Sequence, residues 1–284
     1  MVIDHNDQLL KRAHISLPDD VEVLASQERK GLSGARNTGV RAARGDVVAF
    51  LDDDAEADPG WLEALLAQYA EPQVVGAGGR AVAVWPGTRP GWMPAEFDWV
   101  VSCSFVGLPQ RVAPVRNLSG AGMSFRRCLF DELGAFDTEM GRLDVVPLGS
   151  EESEFAIRVR RGISGAELRH VPEAIVRHYI EPDRVRLGYF LRRCFSEGIS
   201  RAAVTRRTGA DAALSTGRGY VFWTLSRGII DGLRDGLRGD ADGFARSSMI
   251  LAGLVATAAG YLAGHDALSP LLRQAGRVAP RLTS

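Results

Sequence analysis

The chain has little lysine, few cysteines and almost no net charge, and each shortage excludes a class of protein. Only two of the 34 basic residues are lysines, Lys11 and Lys30, and the formal net charge is -1. A chain with so little excess charge is not a nucleic-acid binder that relies on phosphate attraction. The three cysteines form no CxxC pair, which excludes a disulfide framework and a zinc knuckle and is typical of a reducing compartment.

The sequence also lacks a recognisable leader and a clear membrane span. Residues 1–6 contain neither a basic n-region nor an apolar h-region, so we expect a protein on the cytoplasmic side. One long uncharged stretch runs from Ser247 to Gly264, and it is marginal in length for a span and diluted by Gly, Ala, Ser and Thr. This composition favours a buried or membrane-associated helix.

The apolar content, 45% of 284 residues, allows a large core without disulfides or a structural metal. Strand and helix patterns alternate through the first part of the chain. Strand patterns cover residues 1–6, 21–26, 46–51 and 74–84, and helical patterns cover residues 7–13, 33–43 and 61–69. This alternation predicts an α/β fold with an open, mostly parallel, Rossmann-like sheet that binds its ligand at the carboxyl ends of the strands.

The pattern becomes helical near residue 180. Apolar residues recur every four positions from Val221 to Leu237, which is helical spacing. We therefore predict a sheet domain over residues 1–180 and a helical C-terminal extension over residues 181–284. Residues 86–114 are rich in Trp, Pro and Gly and are expected to form a long surface loop with a short helix.

Three consecutive carboxylates, Asp52 to Asp54, follow the apolar strand pattern that ends at Leu51. Like charges this close together repel and lose hydration, so a cation is expected beside them. A hard divalent ion such as Mg²⁺ or Mn²⁺ binds carboxylate oxygens and phosphates together, which suits a diphosphate ligand. The alternative is a solvated acidic turn in which Asp54 or Asp58 caps the next helix.

Several motifs occur in an order that is more specific than any one of them. They are the runs Gly31–Gly39, Gly45–Asp54, Gly120–Arg127 and Glu151–Phe155, followed by His178. Together they resemble the family-two glycosyltransferases of the nucleotide-diphosphosugar transferase (GT-A) fold, over about the first 200 residues. That family normally has one more strand and helix before the segment that matches Val2–Asp4, so the resemblance implies a chain without this first unit.

The resemblance implies a donor site and a metal site. The donor-site residues are Asp4, Lys30, Arg36, Asn37, Asp52, Asp53, Gly122 and Arg184. The metal ligands, for Mg²⁺ or Mn²⁺, are Asp54, Asp52 and His178. In the family's arrangement Asp4 faces the nucleobase and Asp54 ligates the ion that bridges the diphosphate. Without the upstream motifs, His178 would be read as an ordinary buried histidine after a strand.

Glu151 and Glu152 resemble the family's pair of acids, of which the second, here Glu152, is the general base. An acceptor hydroxyl must lose its proton as it attacks the anomeric carbon, and direct displacement inverts that carbon. The family usually has Asp at the second position, so the longer Glu side chain leaves Glu151 as the other candidate. Adjacent acids in a first helical turn are also favoured by the helix dipole alone.

The resemblance implies metal-dependent transfer of a sugar, with inversion, from a UDP- or GDP-linked donor. The expected acceptor, a saccharide or lipid-linked saccharide of the cell envelope, rests instead on the arginines after residue 184 and on the stretch Ser247–Gly264. The expected location is the cytoplasmic face of the inner membrane, where the arginines of residues 184–207 would meet the diphosphate or anionic lipid. Two alternatives stay open: a non-catalytic homologue that acts as a binding protein, and a sugar nucleotidyltransferase. The nucleotidyltransferase would need a Gly-rich basic loop after the first strand, and Asp4–Asp7 is not one.

Overall fold

A computed structural model describes residues 1–139, 151–209 and 219–267. The strands are β1 (Val2–Ile3), β2 (Leu24–Ala25), β3 (Val47–Ala49), β4 (Ala55–Ala57), β5 (Val74–Val84), β6 (Ala113–Val115), β7 (Met123–Arg126) and β8 (Glu167–Tyr179). The α-helices are α1 (Asp7–Ser16), α2 (Leu32–Ala42), α3 (Trp61–Leu66), α4 (Cys128–Leu133), α5 (Glu151–Gly162), α6 (Leu187–Thr208), α7 (Ser226–Leu237) and α8 (Ala241–Ala267). A π-helical segment, Tyr220–Leu225, leads directly into α7.

The strands form one small and one large sheet. β1 pairs with β2 in parallel, and the other six strands form a sheet in the order β3-β7-β5-β8-β4, with β6 also paired to β8. The long central pairing, β5 with β8, is parallel and ends where Val84 lies opposite Tyr179. Helices flank the large sheet, and α6 to α8 follow it. The predicted α/β class with C-terminal helices is therefore confirmed.

The large sheet is mixed rather than mostly parallel, which corrects the sequence-based expectation. β7 runs antiparallel to both β3 and β5, and β4 and β6 run antiparallel to β8. β3, β5 and β8 thus share one direction, and β4, β6 and β7 run the other way. For β4 the short connection explains the direction, because only five residues separate it from β3. A crossover between parallel strands needs about a dozen or more.

Between β3 and β4 the chain crosses one end of the large sheet. The amide of Phe50 donates to the carbonyl oxygen of Met123 in β7 at 2.7 Å. The amide of Tyr179 in β8 donates to the carbonyl oxygen of Asp54 at 2.8 Å. The three aspartates therefore follow the carboxyl end of β3 and reach the carboxyl end of β8. The sequence predicts the ligand at such strand ends.

A cluster of phenylalanines fixes α5 against the large sheet. Phe125 of β7, Phe130 of α4 and Phe155 of α5 are all buried, and the rings of Phe130 and Phe155 stack with centroids 4.7 Å apart. Burial of one such side chain contributes about 2 to 3 kcal/mol relative to leaving it exposed. The packing places the first turn of α5, with Glu151 buried, near the carboxyl edge of the sheet.

Glycines let the C-terminal helices approach one another closely. A Cβ atom on Gly260 of α8 would come within 1.9 Å of the carbonyl oxygen of Phe195 in α6. A Cβ atom on Gly232 of α7 would come within 2.7 Å of the carbonyl oxygen of Gly243 in α8. Because these neighbours are backbone atoms, a larger residue at either position would force the helices apart.

Residues 86–114 are more buried than the predicted surface loop. They contain a 3-10 helix, Ala95–Val101, whose Phe97 packs against Phe190 of α6. The C-terminal helices thus pack on the sheet through this segment, because its Trp, Met and Phe side chains supply apolar area. β8 ends at Tyr179, near the predicted boundary. The division into two domains stays a prediction, and residues 210–218 and 268–284 of the extension lie outside the described residues.

Glycines occupy the N-cap positions of α2 and α3. Gly31 precedes α2 with a φ of 129°, and Ser33 is buried inside the first turn. A positive φ of this kind favours glycine. Pro59 lies outside α3, because Gly60 is the N-cap residue there.

Candidate active site

The guanidinium group of Arg36 joins three segments at the carboxyl edge of the sheet. Arg36 lies in α2 and is 7% exposed. Its Nη1 donates to Oε1 of Glu151 at 2.7 Å. Its Nη2 donates to Oδ1 of Asp52 and to the carbonyl oxygen of Gly120, each at 3.1 Å. A buried cation needs such partners, and these partners bring α2, the aspartates and the start of α5 to one place.

Asp52, Asp54 and His178 converge beside this arginine. Each offers one ligand atom, and these atoms lie within 4.8 Å of one another. His178 is 1% exposed, its Nε2 lies 3.1 Å from Oδ1 of Asp54, and its Nδ1 is buried with no hydrogen-bond partner among the described residues. Two carboxylates and an imidazole are a donor set that fits a divalent ion, and Mn²⁺ accepts such a mixed set readily.

The two aspartates differ in electrostatic environment. Burial, opposed by Arg36 and assisted by the charge of Asp54, raises the pKa of Asp52 above its usual value. Burial also acts on Asp54, but the contact with His178 and the charge of Arg184 outweigh it and lower the pKa of Asp54. Nη1 of Arg184 lies 3.3 Å from Oδ2 of Asp54. Arg184 and His178 thus hold Asp54 in its charged form, as a metal ligand requires.

The two acids at the start of α5 have different surroundings. Glu151 is 2% exposed and accepts the hydrogen bond from Arg36. Glu152 is half-buried and has no ion pair among the residues that the structure describes; its Oε1 accepts a long hydrogen bond from Ser153 at 3.4 Å. Burial and the adjacent charge of Glu151, offset in part by Arg36, raise the pKa of Glu152 to about 8. The ion pair of Glu151 and the raised pKa of Glu152 thus distinguish the two acids electrostatically.

Comparison with known proteins identifies the family of this chain. Residues 4–134 match the model of glycosyl transferase family 2. A glucosyl-dolichyl phosphate glucuronosyltransferase of Haloferax volcanii is 33% identical over 204 residues, 71% of this chain and 65% of that relative. A pre-mycofactocin glycosyltransferase of Mycobacterium tuberculosis is 31% identical over 214 residues, 72% of this chain and 42% of that relative. The chain belongs to glycosyltransferase family 2.

This family 2 glycosyltransferase spans less than two thirds of the length of either relative. Its fold is similar to the solved structure of the mannosyltransferase PcManGT from Pyrobaculum calidifontis in complex with GDP-Man and Mn²⁺. The TM-score is 0.51 at 18% identity, over 90% of this chain and 76% of that one. The comparison confirms the GT-A fold and, at this identity, the fold alone.

The predicted base-binding residues of the transferase lie where β1 meets α2. Oδ2 of Asp4 accepts a hydrogen bond from the amide of Gly31 at 2.9 Å, and its Oδ1 lies 2.8 Å from Nδ1 of His5. Lys30, the residue before Gly31, is exposed, and so is Asp53. These contacts tie the end of β1 to the N-terminus of α2.

Two other residues predicted to bind the sugar donor, Asn37 and Gly122, make structural contacts within the protein. The side-chain amide of Asn37 donates to the carbonyl oxygen of Phe136 and accepts from its amide, each at 2.9 Å. A Cβ atom on Gly122 would lie 2.7 Å from Cγ2 of Val176, so packing against β8 favours glycine there. A donor-binding role for Asn37 and Gly122 stays a prediction.

The sequence analysis missed a charged cluster on α6 that lies beside Glu152. Glu197 accepts hydrogen bonds from Arg193 at 3.3 Å and Arg201 at 3.0 Å. The charge of Glu197 also contributes to the raised pKa of Glu152, after burial and Glu151. The i, i+4 spacing of these three residues was a readable signal of the ion pairs, although not of their place next to α5.

Replacing Arg36 by glutamine is expected to lower the free energy of unfolding by about 3 kcal/mol, because Glu151 would stay buried without its cation. The matched control is Arg41→Gln in the same helix, where the guanidinium is 53% exposed and pairs with Glu28. A surface pair of that kind contributes less than about 1 kcal/mol. Urea unfolding followed by circular dichroism measures both variants. Equal losses would contradict the central position of Arg36.

Proposed function

We propose that this enzyme transfers a sugar from a nucleotide-diphosphate sugar to an acceptor hydroxyl, with inversion and with a divalent ion. The observation that carries the proposal is the convergence of Asp52, Asp54 and His178 at the carboxyl edge of the sheet. The relatives in family 2 are named as transferases of sugars, and the similar solved mannosyltransferase holds GDP-Man and Mn²⁺. A UDP- or GDP-linked donor is therefore the substrate class that fits this site.

The donor would extend along the edge of the sheet from β1 to β8. In this proposal Asp4 and Lys30, at one end, would contact the nucleobase and ribose, and Arg184, at the other end, would contact the diphosphate. Asp52, Asp54 and His178 would hold Mg²⁺ or Mn²⁺, which supplies positive charge to the departing diphosphate when bound. The carboxylates alone would repel that diphosphate, so the site requires a cation for its proposed substrate.

Glu152 is the proposed general base. Its carboxylate accepts the proton of the acceptor hydroxyl as that oxygen attacks the anomeric carbon of the donor. The bond from this carbon to the diphosphate oxygen breaks, and the nucleoside diphosphate leaves with the electron pair. Attack from the opposite side inverts the anomeric carbon. Glu151 positions Glu152 through its ion pair with Arg36. The acceptor is a saccharide or a lipid-linked saccharide.

The proposed location is a cytoplasmic membrane surface. The described residues contain one helix that is long and apolar enough to cross a membrane, Ala241–His265. Beside it, Trp223 is 80% exposed and Phe222 is 69% exposed. Apolar exposed residues continue along α7 and α8, and we call this set the apolar face: Phe222, Trp223, Ile230, Leu233, Leu237, Phe244, Leu251, Val255 and Leu262.

Arginines next to the apolar face favour anionic lipid. Arg227 and Arg234 of α7 are exposed and share the carboxylate of Asp231, and Arg238 follows them. An apolar strip flanked by cations is typical of helices that lie in a lipid interface. The arginines of α6, which the sequence also offered for this role, are largely engaged within the protein, for example Arg207 with Asp137.

Asp54→Ala is expected to abolish metal-dependent nucleotide binding, because Asp54 is the charged carboxylate of the cluster. Calorimetric titration with UDP, and in parallel GDP, with and without Mn²⁺ measures this. Asp46→Ala is the control: its carboxylate is exposed, precedes β3 and lies outside both the metal cluster and the predicted donor-site residues. No binding of either nucleotide by the unaltered chain would refute the donor site. Binding without any sugar transfer would favour the non-catalytic alternative.

The rate of transfer should rise with pH up to about 8, because Glu152 must be unprotonated and its pKa is raised to about 8. Below that pH, kcat/KM is expected to fall about tenfold per pH unit. Glu152→Gln should remove transfer and retain nucleotide binding. Glu154→Gln is the control, since Glu154 pairs with Arg158 in the same helix. A flat profile over this range in the unaltered enzyme would exclude Glu152 as the base.

Trp223→Ser is expected to weaken binding to vesicles of mixed phosphatidylglycerol and phosphatidylcholine, because an interfacial Trp loses its apolar contact with lipid. Cosedimentation of the full chain with the vesicles measures the bound fraction. The control is Ile15→Ser, because Ile15 is 84% exposed but lies on α1, away from the apolar face. If neither vesicles of this mixture nor pure phosphatidylcholine retain the unaltered chain, the apolar face does not bind lipid.

A further inference from the structure

A cavity of about 400 Å³ lies between β6, the C-terminal end of α5 and the start of β8. Its lining contains two cationic side chains, Arg116 and Arg160, and one carboxylate, Glu167. Glu167 already accepts hydrogen bonds from Arg169, at 2.9 and 3.1 Å. Arg169 lies outside the lining and also pairs with Glu71. The lining itself has two cations against one carboxylate, which is an excess of positive charge.

The arginines of the cavity are close enough to repel one another. Arg116 is half-buried, and its burial, followed by the positive charges of Arg160 and Arg201, lowers its pKa below the usual value. Arg160 of α5 is exposed and lines the cavity. Cations that are brought together in this way gain from an anion between them, and guanidinium groups bind phosphate oxygens with paired hydrogen bonds.

Two segments, the residues after β6 and helix α5, lead from the cavity to the proposed general base. Nδ2 of Asn117, the neighbour of Arg116, donates to Oγ of Ser153, the neighbour of Glu152, at 3.3 Å. Glu152 and Arg160 are two turns apart on α5, which corresponds to about 12 Å along the helix. Glu152 does not line the cavity, so an acceptor of about disaccharide length would have to place a hydroxyl at Glu152 and an anionic group at the arginines.

We infer that Arg116 and Arg160 form an anion site for a phosphate group on the acceptor, separate from the donor diphosphate site. The acceptor part of this inference rests on the proposed function, because it takes Glu152 as the base. The charge of Arg201 on α6 also acts on Arg116, although Arg201 is paired with Glu197. The site would select phosphorylated acceptors over neutral saccharides. It is as suited to a soluble sugar phosphate as to a lipid-linked phosphate.

The test is calorimetric titration of the full chain with methyl phosphate and with octyl phosphate, at saturating nucleotide and Mg²⁺. Arg116→Gln and Arg160→Gln are each expected to weaken binding of both probes about tenfold, by loss of a charged hydrogen bond. Arg12→Gln is the matched control, because Arg12 is an exposed arginine on α1, and it should bind as the unaltered chain does. Tighter binding of octyl phosphate would identify a lipid-linked acceptor, and equal binding a soluble one.

Nucleotide titration of the same variants separates this inference from the donor site. Retained nucleotide binding in Arg116→Gln and Arg160→Gln would show that both variants are folded. Absence of phosphate binding by the unaltered chain, or binding that neither substitution changes, would overturn the anion site even if the donor binds. Phosphate binding that depends on both arginines, in a chain that binds no nucleotide, would support the anion site and refute the proposed donor.

Discussion

The buried guanidinium group of Arg36 is the contact on which the arrangement of the site depends. It is the only partner that the described residues provide for the buried carboxylate of Glu151, and it also binds Asp52 and the carbonyl oxygen of Gly120. One cation thus pairs with a carboxylate of the candidate metal cluster and with the carboxylate next to the proposed general base. The charged groups of Arg36, Asp52 and Glu151 have lost much of their hydration. Their relative positions are therefore tightly constrained, because a displaced partner would leave a buried charge unpaired.

Acids that are neighbours in sequence differ in the cations that they contact. Asp52 and Glu151 form ion pairs with Arg36, whereas Asp54 contacts His178 and Arg184. Glu152 has no cation of its own among the described residues, and its pKa is raised accordingly. Residues of one chemical type, next to one another in sequence, thereby acquire the different protonation states that metal binding and proton transfer require.

The sequence was informative where a local pattern and a motif coincide. The apolar run before Asp52 predicted a strand with acids at its end, and β5 has the predicted bounds, Val74–Val84. The direction of β7 could not be read, because the four residues Met123–Arg126 follow a glycine-rich turn and carry no clear alternation. The ion pair of Arg36 with Glu151 joins residues 115 positions apart, and no local pattern encodes such a contact. The anion cavity was missed for the same reason, since its arginines come from two distant elements.

The passage of the chain from β3 to β4 limits how the length of this segment can vary. Phe50 is hydrogen-bonded to β7 on its β3 side and Asp54 to β8 on its β4 side, so five residues carry the chain from one side of the large sheet to the other. At the end of this passage the amide of Ala55 donates to the carbonyl oxygen of Asp52 and closes a turn. Deleting one residue would remove this turn or break a strand contact, and it would move the carboxylates that follow. The number of residues between β3 and β4 is therefore constrained by the hydrogen bonds at the two ends of the passage, independently of any role in binding a metal.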